Sequence, residues 1–178
     1  MIHYQKVDDI NTVNVPELNG KTPLFGAILA REQGCVNALL NFGALPNITD
    51  NDGVFPLLLA VVEPCDDMTD LLLEKGADPN QSQLSTGTRP VHNASRLGNT
   101  DVLHLLIRYN ADLDAVDING KNAMTFASSN GHTEIVEILI NHGAIITIAA
   151  INAARENGHF RLADYIAEKG GIPPRTPE

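Results

Sequence analysis

The chain has 178 residues, enough for one well-buried domain, and its 43% hydrophobic content with 4% aromatics and no Trp excludes a disordered chain. Its formal net charge of -10 repels phosphate backbones and anionic lipid, which excludes nucleic acid and membrane surfaces as partners and leaves a protein partner as the expectation. No apolar run approaches the ~20 residues needed to cross a bilayer, and the opening "MIHYQKVDDI" has neither the basic start nor the apolar stretch of a signal peptide, so a cytoplasmic monomer with no metal and no cofactor is expected.

Residues 1 to 12 are too short for a full pair of helices, and "VNVPELNG" (13 to 20) supplies the connecting stretch that leads into the first joint. "NGKTPL" (19 to 24) then supplies a glycine for positive φ, a capping threonine and a proline pre-set for a first helical turn. That joint recurs as "DGVFPL" from Asp52, "TGTRPV" from Thr86 and "NGKNAM" from Asn119, with Gly20, Gly53, Gly87 and Gly120 separated by 33, 34 and 33 residues. After each joint a short apolar pattern carries a small residue at a fixed place, Ala27, Ala60, Ala94 and Ala127, where two helices can approach closely. A second helix follows in each unit, "CVNALL", "MTDLLL", "VLHLLI" and "IVEILI", apolar at helical spacing. It ends at Gly43, Gly76, Asn110 or Gly143, residues that tolerate the left-handed conformation closing a helix.

Between units lie the polar stretches "PNITDND", "PNQSQLST" and "LDAVDIN", which can fold as a β-turn or hairpin. The second carries one extra residue in "NQSQLSTG" (80 to 87), either a projecting specificity element or a neutral insertion that a loop tolerates cheaply. The acidic run "EPCDDMTD" (63 to 70) lacks the alternating order of a calcium loop and reads as a helix start, with Asp66 and Asp67 opposing the positive end of the dipole. Toward the end, "GHFRLADYIAEKGG" (158 to 171) repeats the second-helix pattern with a shortened connection before it. One such unit cannot bury its own apolar face, whereas stacked units can.

"GKTPLFGA" (20 to 27), "GTRPVHNA" (87 to 94), "GHTEIVEILINHGA" (131 to 144) and "LLLEKGADPN" (71 to 80) resemble the signature of the ankyrin repeat family over residues 14 to about 170. The resemblance implies an all-α solenoid of stacked helix-turn-helix units joined by β-turn or hairpin fingers. The expected division is a partial unit and finger over 1–18 and repeats over 19–51, 52–85, 86–118 and 119–147. A shortened cap over 148–171 and a disordered tail over 172–178 complete it. Phe55, Arg89 and Asn122 replace the signature Thr, Ala123 replaces the Pro and Pro64 stands at the helix-linking Gly, changes expected to loosen individual turns.

Few residues could carry chemistry. Cys35 is expected as a small buried residue and Cys65 as a loop or helix-start thiol, since they form no C-x-x-C pair. The resemblance makes His92, His132 and His159 hydrogen-bonding partners of neighbouring turns, while His104 and His142 are expected in solvent. No zinc spacing, phosphate loop or nucleophile motif is present, so an enzyme has no residue to rest on.

The resemblance instead implies non-catalytic protein binding, as adaptor, inhibitor or targeting module, through a concave face of finger tips and inner-helix ends. By their place in the repeat, those residues are Leu18, Lys21, Leu29, Asn51, Asp52, Val54, Val62, Glu63, Thr88, Arg96, Leu97, Ile118, Lys121 and Asn130. Its early part is apolar at Leu18, Leu29, Val54, Val62 and Leu97, and its cations are Lys21, Arg96 and Lys121, which suits a partner presenting an apolar segment with acidic flanks. The alternative for these apolar side chains is packing against neighbouring fingers. The short start also fits an excised piece of a larger multidomain protein, such as a host-directed bacterial effector or an enzyme's recognition module. Leu39→Ala or Leu72→Ala is expected to cost ~2–5 kcal/mol by leaving cavities.

Overall fold

The computed structural model describes residues 19–62 and 66–173, so Leu18, Glu63, Pro64, Cys65 and the tail from 174 lie outside the described residues. Ten helices and no strand occur among the described residues. The chain divides into two compact units, Met1–Asp78 and Pro79–Glu178.

The first unit holds α1 (Pro23–Leu29), α2 (Gln33–Asn41), α3 (Pro56–Val62) and α4 (Asp66–Glu74). Here α1 packs on α2 and α3 on α4, and the pairs stack through α1 on α3 and α2 on α4. The second unit holds α5 (Pro90–Leu97), α6 (Thr100–Arg108), α7 (Ala123–Asn130), α8 (Thr133–Asn141), α9 (Ile148–Glu156) and α10 (Phe160–Lys169). Its inner helices α5, α7 and α9 pack in sequence, α7 touching both others, and α6 packs on α8 behind them.

Burial explains the short helices. Ala60, Ala94 and Ala127 are fully buried in the inner helices, where a larger side chain would push the helices apart, while Ala27 is half-buried. The outer helices turn apolar residues inward at helical spacing, among them Val102, Leu103 and Leu106 in α6 and Ile135, Val136 and Leu139 in α8. Each such side chain contributes about 1.5–3 kcal/mol by leaving water. Leu72 occupies the same place in α4 and is fully buried, whereas Leu39 in α2 is only half-buried and Leu40 takes the inward position. Cys35 is exposed, contrary to the sequence expectation. With Val36 and Leu40 pointing inward, its side chain lies roughly 100° round the helix from Val36.

The replaced turns are not uniformly loosened. Asn122 caps α7 by accepting the Thr125 N–H at 3.0 Å, as Asn99 does for α6 from Val102 at 3.0 Å. The signature Thr22, by contrast, caps nothing. Asn110 adopts φ 62 at the end of α6, the left-handed conformation expected of it.

The fingers are tight turns, which corrects the hairpin part of the expectation. The N–H of Asp50 donates to Val54 O at 2.8 Å and that of Asp117 to Lys121 O at 3.0 Å, one bond between the arms of each finger, besides the turn bonds from the Gly53 N–H to Asp50 O and from the Gly120 N–H to Asp117 O inside the tips. A single bond closes a turn but starts no ladder. Asp50 and Asp117 stiffen these tips by accepting the backbone N–H groups of Asp52 and Val54, and of Asn119 and Lys121, respectively. Asn side chains link successive loops: Asn47 bridges to Gly76 O and Asp78 N–H, and Asn80 bridges to Asn110 O and Asp112 N–H.

Candidate functional site

In the first unit, the packing of α1 against α3 leaves their C-terminal ends free, and Leu29, Ala30 and Val62 are exposed there. Lys21 is half-buried just before the start of α1. Asn51 and Asp52 join the fingers: the Asn51 N–H donates to Asn19 O at 3.0 Å, and the Asn19 side chain donates to the Asp52 carboxylate at 2.5 Å. Val54 is half-buried at the tip.

In the second unit, the end of α5 presents Arg96 and Leu97, both exposed, with the Arg96 guanidinium donating to Asn93 Oδ1 at 3.3 Å. His132 supports this end from the next repeat, its Nε2–H donating to Arg96 O at 3.0 Å while its ring packs over Gly98. Thr88 is half-buried, its hydroxyl oxygen 2.8 Å from that of Thr86. Asn130 turns back on its own helix to donate to Phe126 O at 2.8 Å. Ile118 and Lys121 stand exposed on the last finger.

The structure adds an exposed residue that was not singled out from the repeat positions. Leu84, 87% exposed, sits at the tip of the lengthened finger. There the turn runs from the Gln83 N–H to Thr88 O at 2.9 Å, one residue longer than the tips at 50–54 and 117–121. Thr86 takes over the aspartate's part, its hydroxyl accepting the Thr88 N–H and donating to Gln83 Oε1. The extra residue in the sequence was the signal, since it falls within the tip and leaves Leu84 without cover.

His92, the one buried histidine among the described residues, ties this scaffold together. His92 Nδ1 accepts the Arg89 N–H at 3.2 Å and its Nε2–H donates to Ala115 O at 2.8 Å, so both ring nitrogens are engaged by the neutral form. Burial pushes its pKa below the ordinary 6.5, aided by the Arg89 charge, against the Ala115 carbonyl and the Asp117 and Asp112 carboxylates, which favour protonation. Burial also opposes ionisation of Asp117, but the bonds from Lys121 N–H and from Asn119 outweigh it and hold its carboxyl below the usual range. Among the described residues, no group of three or more His, Cys, Asp or Glu side chains could hold a metal ion, and no helix is long and apolar enough to cross a membrane.

The family profile described as "Ankyrin repeats (3 copies)" matches residues 2–83 and 79–150. Cyclin-dependent kinase inhibitor 2A of Homo sapiens is 35% identical over 127 residues, covering 71% of this chain and 76% of that protein. Cyclin-dependent kinase 4 inhibitor B of Mus musculus is 38% identical over 104 residues, 58% of this chain and 79% of that protein. Neurogenic locus notch homolog protein 1 of Mus musculus is 31% identical over 131 residues, 74% of this chain and 5% of that protein.

Proposed function

This chain belongs to the ankyrin-repeat family, and from that premise we propose that it works as a non-catalytic, monomeric binding module that holds a partner protein on its finger tips and inner-helix ends. The observation that carries this reading is the exposure of Leu29, Val62 and Leu97 at the free ends of α1, α3 and α5. Apolar side chains left in water at equivalent places of a repeat offer area that a partner can bury. Arg96 and Leu97 are exposed at the end of α5 and Ile118 and Lys121 on the following finger, while Asp101, Glu134 and Glu137 are exposed on the outer helices. The partner we propose therefore presents an apolar segment with acidic flanks. The main contacts we propose are Leu29 and Val62 in the first unit and Arg96 and Leu97 in the second, because binding energy concentrates in a few apolar and Arg residues.

The relatives do not choose the partner. Two are named as inhibitors of cyclin-dependent kinases and one as a notch homolog, yet all match much the same framework. The notch match, only 5% of that protein, favours a second reading in which this module serves a larger protein. Detection of the native protein by mass in its own cells decides between the two, a species well above 19.2 kDa supporting the larger one.

Affinity capture from native lysate tests the binding face. The wild type is compared with a Leu29→Arg, Leu97→Asp variant whose melting temperature is unchanged. A partner held by the first and lost by the second supports the reading. Identical partners on both sink it.

A further inference from the structure

The fingers of each unit join in one repeated way. The Asn51 N–H donates to Asn19 O and the Ile118 N–H to Thr86 O, each at 3.0 Å. The acceptor in both cases directly precedes a glycine of positive φ, Gly20 or Gly87. The next finger lies so close that a Cβ on Gly20 would meet Asn51 Oδ1 at 2.5 Å, and one on Gly87 would meet the Ile118 nitrogen at 3.0 Å. Gly120 breaks the pattern. Its φ of 73 is the same, yet a Cβ there would meet nothing within 4 Å, and among the described residues no backbone N–H reaches Asn119 O. The connection from Gly143 to the start of α9 at Ile148 is too short to form the finger that would fill this place.

The side chains change where the cover is missing. The residue before the tip-closing pair is Thr49 in one finger and Ser82 in the next, but Val116 here, and Ile118 replaces Asn51 as the joining residue. Val116 and Ile118 are 54% and 68% exposed. Ile145, fixed at the base of this finger by its N–H to Asp114 Oδ1 at 2.7 Å, and Ile148 are 61% and 65% exposed. Pro56, Pro90 and Ala123, which open α3, α5 and α7 as Ile148 opens α9, are buried.

We propose that this open finger edge docks an extended segment of a partner protein, which takes the place of the missing finger. The segment donates one main-chain N–H to Asn119 O and lays aliphatic side chains on Val116, Ile118, Ile145 and Ile148, the way an added strand completes an open edge. Charge complementarity adds a carboxylate to it. The acids at this edge are engaged, Asp112 with Arg89, Asp114 with the Ile145 N–H and Asp117 with its own turn. Lys121 is exposed and has no ion-pair partner among the described residues. The net charge of -10 disfavours a second copy of the chain as the occupant. The proposal rests on the reading of the chain as a protein-binding module and shares Ile118 and Lys121 with the face proposed there, but it makes no use of the ends of α1, α3 and α5.

The test titrates an end-capped peptide of alternating Val and Thr with one terminal Glu into the full chain, labelled for amide and methyl NMR. The expected result is a saturable shift at the Asn119 and Gly120 amides and at the methyls of Val116, Ile118, Ile145 and Ile148, with the Leu29 and Leu97 methyls unmoved. A Val116→Thr, Ile118→Asn variant, which borrows residues from the first finger and so should keep its melting temperature, is expected to bind roughly tenfold more weakly. Lys121→Glu weakens binding by a smaller factor, and N-methylation of the peptide's amides abolishes it. Shifts centred on Leu29 and Leu97, no saturation, or equal binding of the N-methylated peptide overturns the proposal. Concentration-dependent dimerisation that moves the same methyls without peptide also overturns it, in favour of a second copy. Failure here leaves the lysate result with the Leu29→Arg, Leu97→Asp variant untouched, so the two readings fall separately.

Discussion

The first and second units are built from the same repeat, yet their local backbone rules are obeyed to different degrees. In the second unit, the turns between inner and outer helices are closed by glycines in the left-handed region, Gly98 at φ 74 and Gly131 at φ 73. The corresponding turn of the first unit has Arg31 at φ 57, a conformation that costs a residue with a Cβ. Side-chain caps lean the same way without dividing cleanly: Asn99, Asn122 and Thr147 cap three of the second unit's six helices, the N-cap residues of α5, α8 and α10 make no such bond, and α1 and α2 have none. Helical glycines are found only in the first unit, Gly26 in α1 and Gly34 in α2. The shared apolar pattern sets the fold, and local propensity then sets how firmly each part of it is held.

The largest effect that would sharpen this contrast comes from the paired core positions. Leu106→Ala removes a fully buried side chain and is expected to cost about 2–5 kcal/mol in denaturant unfolding. Leu39→Ala, at the same place in the repeat but half-buried, should cost clearly less, and equal costs would break the contrast. Next in size is Gly131→Ala. Its new Cβ would meet the His159 ring at 2.5 Å in a left-handed backbone, so a loss of about 1–3 kcal/mol is expected. The reciprocal Arg31→Gly should not destabilise comparably, and thermal unfolding of both variants reads the difference.

The third prediction concerns pH. The folded-state pKa of His92 lies below its ordinary 6.5, so its contribution is fully present above about 6.5 and is lost as pH falls below that value. His92→Leu, which borrows Leu58 from the equivalent place in the first unit, should therefore show a stability difference from wild type that shrinks on acidification. A difference that stays constant with pH would contradict the neutral, doubly bonded imidazole. Smallest is Gly26→Ala, with nothing within 4 Å of its new Cβ and no positive φ, expected to stabilise by about 0.5–1 kcal/mol. A loss there would remove helix propensity as the reason for the first unit's weaker rules.

Much of this architecture was legible in the sequence because its marks are backbone requirements. Gly43, Gly76, Asn110 and Gly143 all adopt positive φ at the ends of outer helices, as their residue types demand. His92 and His132 make the inter-turn hydrogen bonds expected of them. What was not legible depends on neighbours distant in sequence. Cys35 has the same residue type whether it faces the core or water, and only the rotation of α2 decides. Asn47 and Asn80 read as turn residues, but their side chains bridge to loops about thirty positions away. The finger was read as a turn or hairpin, and one closing bond makes it a turn. The open edge at Gly120 was hidden for a similar reason, since that glycine has the φ of its equivalents and differs only in what does not pack on it. Of the residues proposed for binding, the exposure of Leu29, Val62 and Leu97 could be expected from repeat position alone, whereas Asn51, Asp52 and Asn130 make bonds to the scaffold that the sequence did not signal.

The most direct measurement of the central claim is amide hydrogen exchange on the chain, free and bound to the partner recovered from lysate. The account predicts slowed exchange at the fingers around 50–54, 83–88 and 117–121 and at the C-terminal ends of α1, α3 and α5, with α2, α4, α6 and α8 unchanged. Protection confined to those outer helices, with fingers and inner-helix ends exchanging as in the free chain, would contradict it.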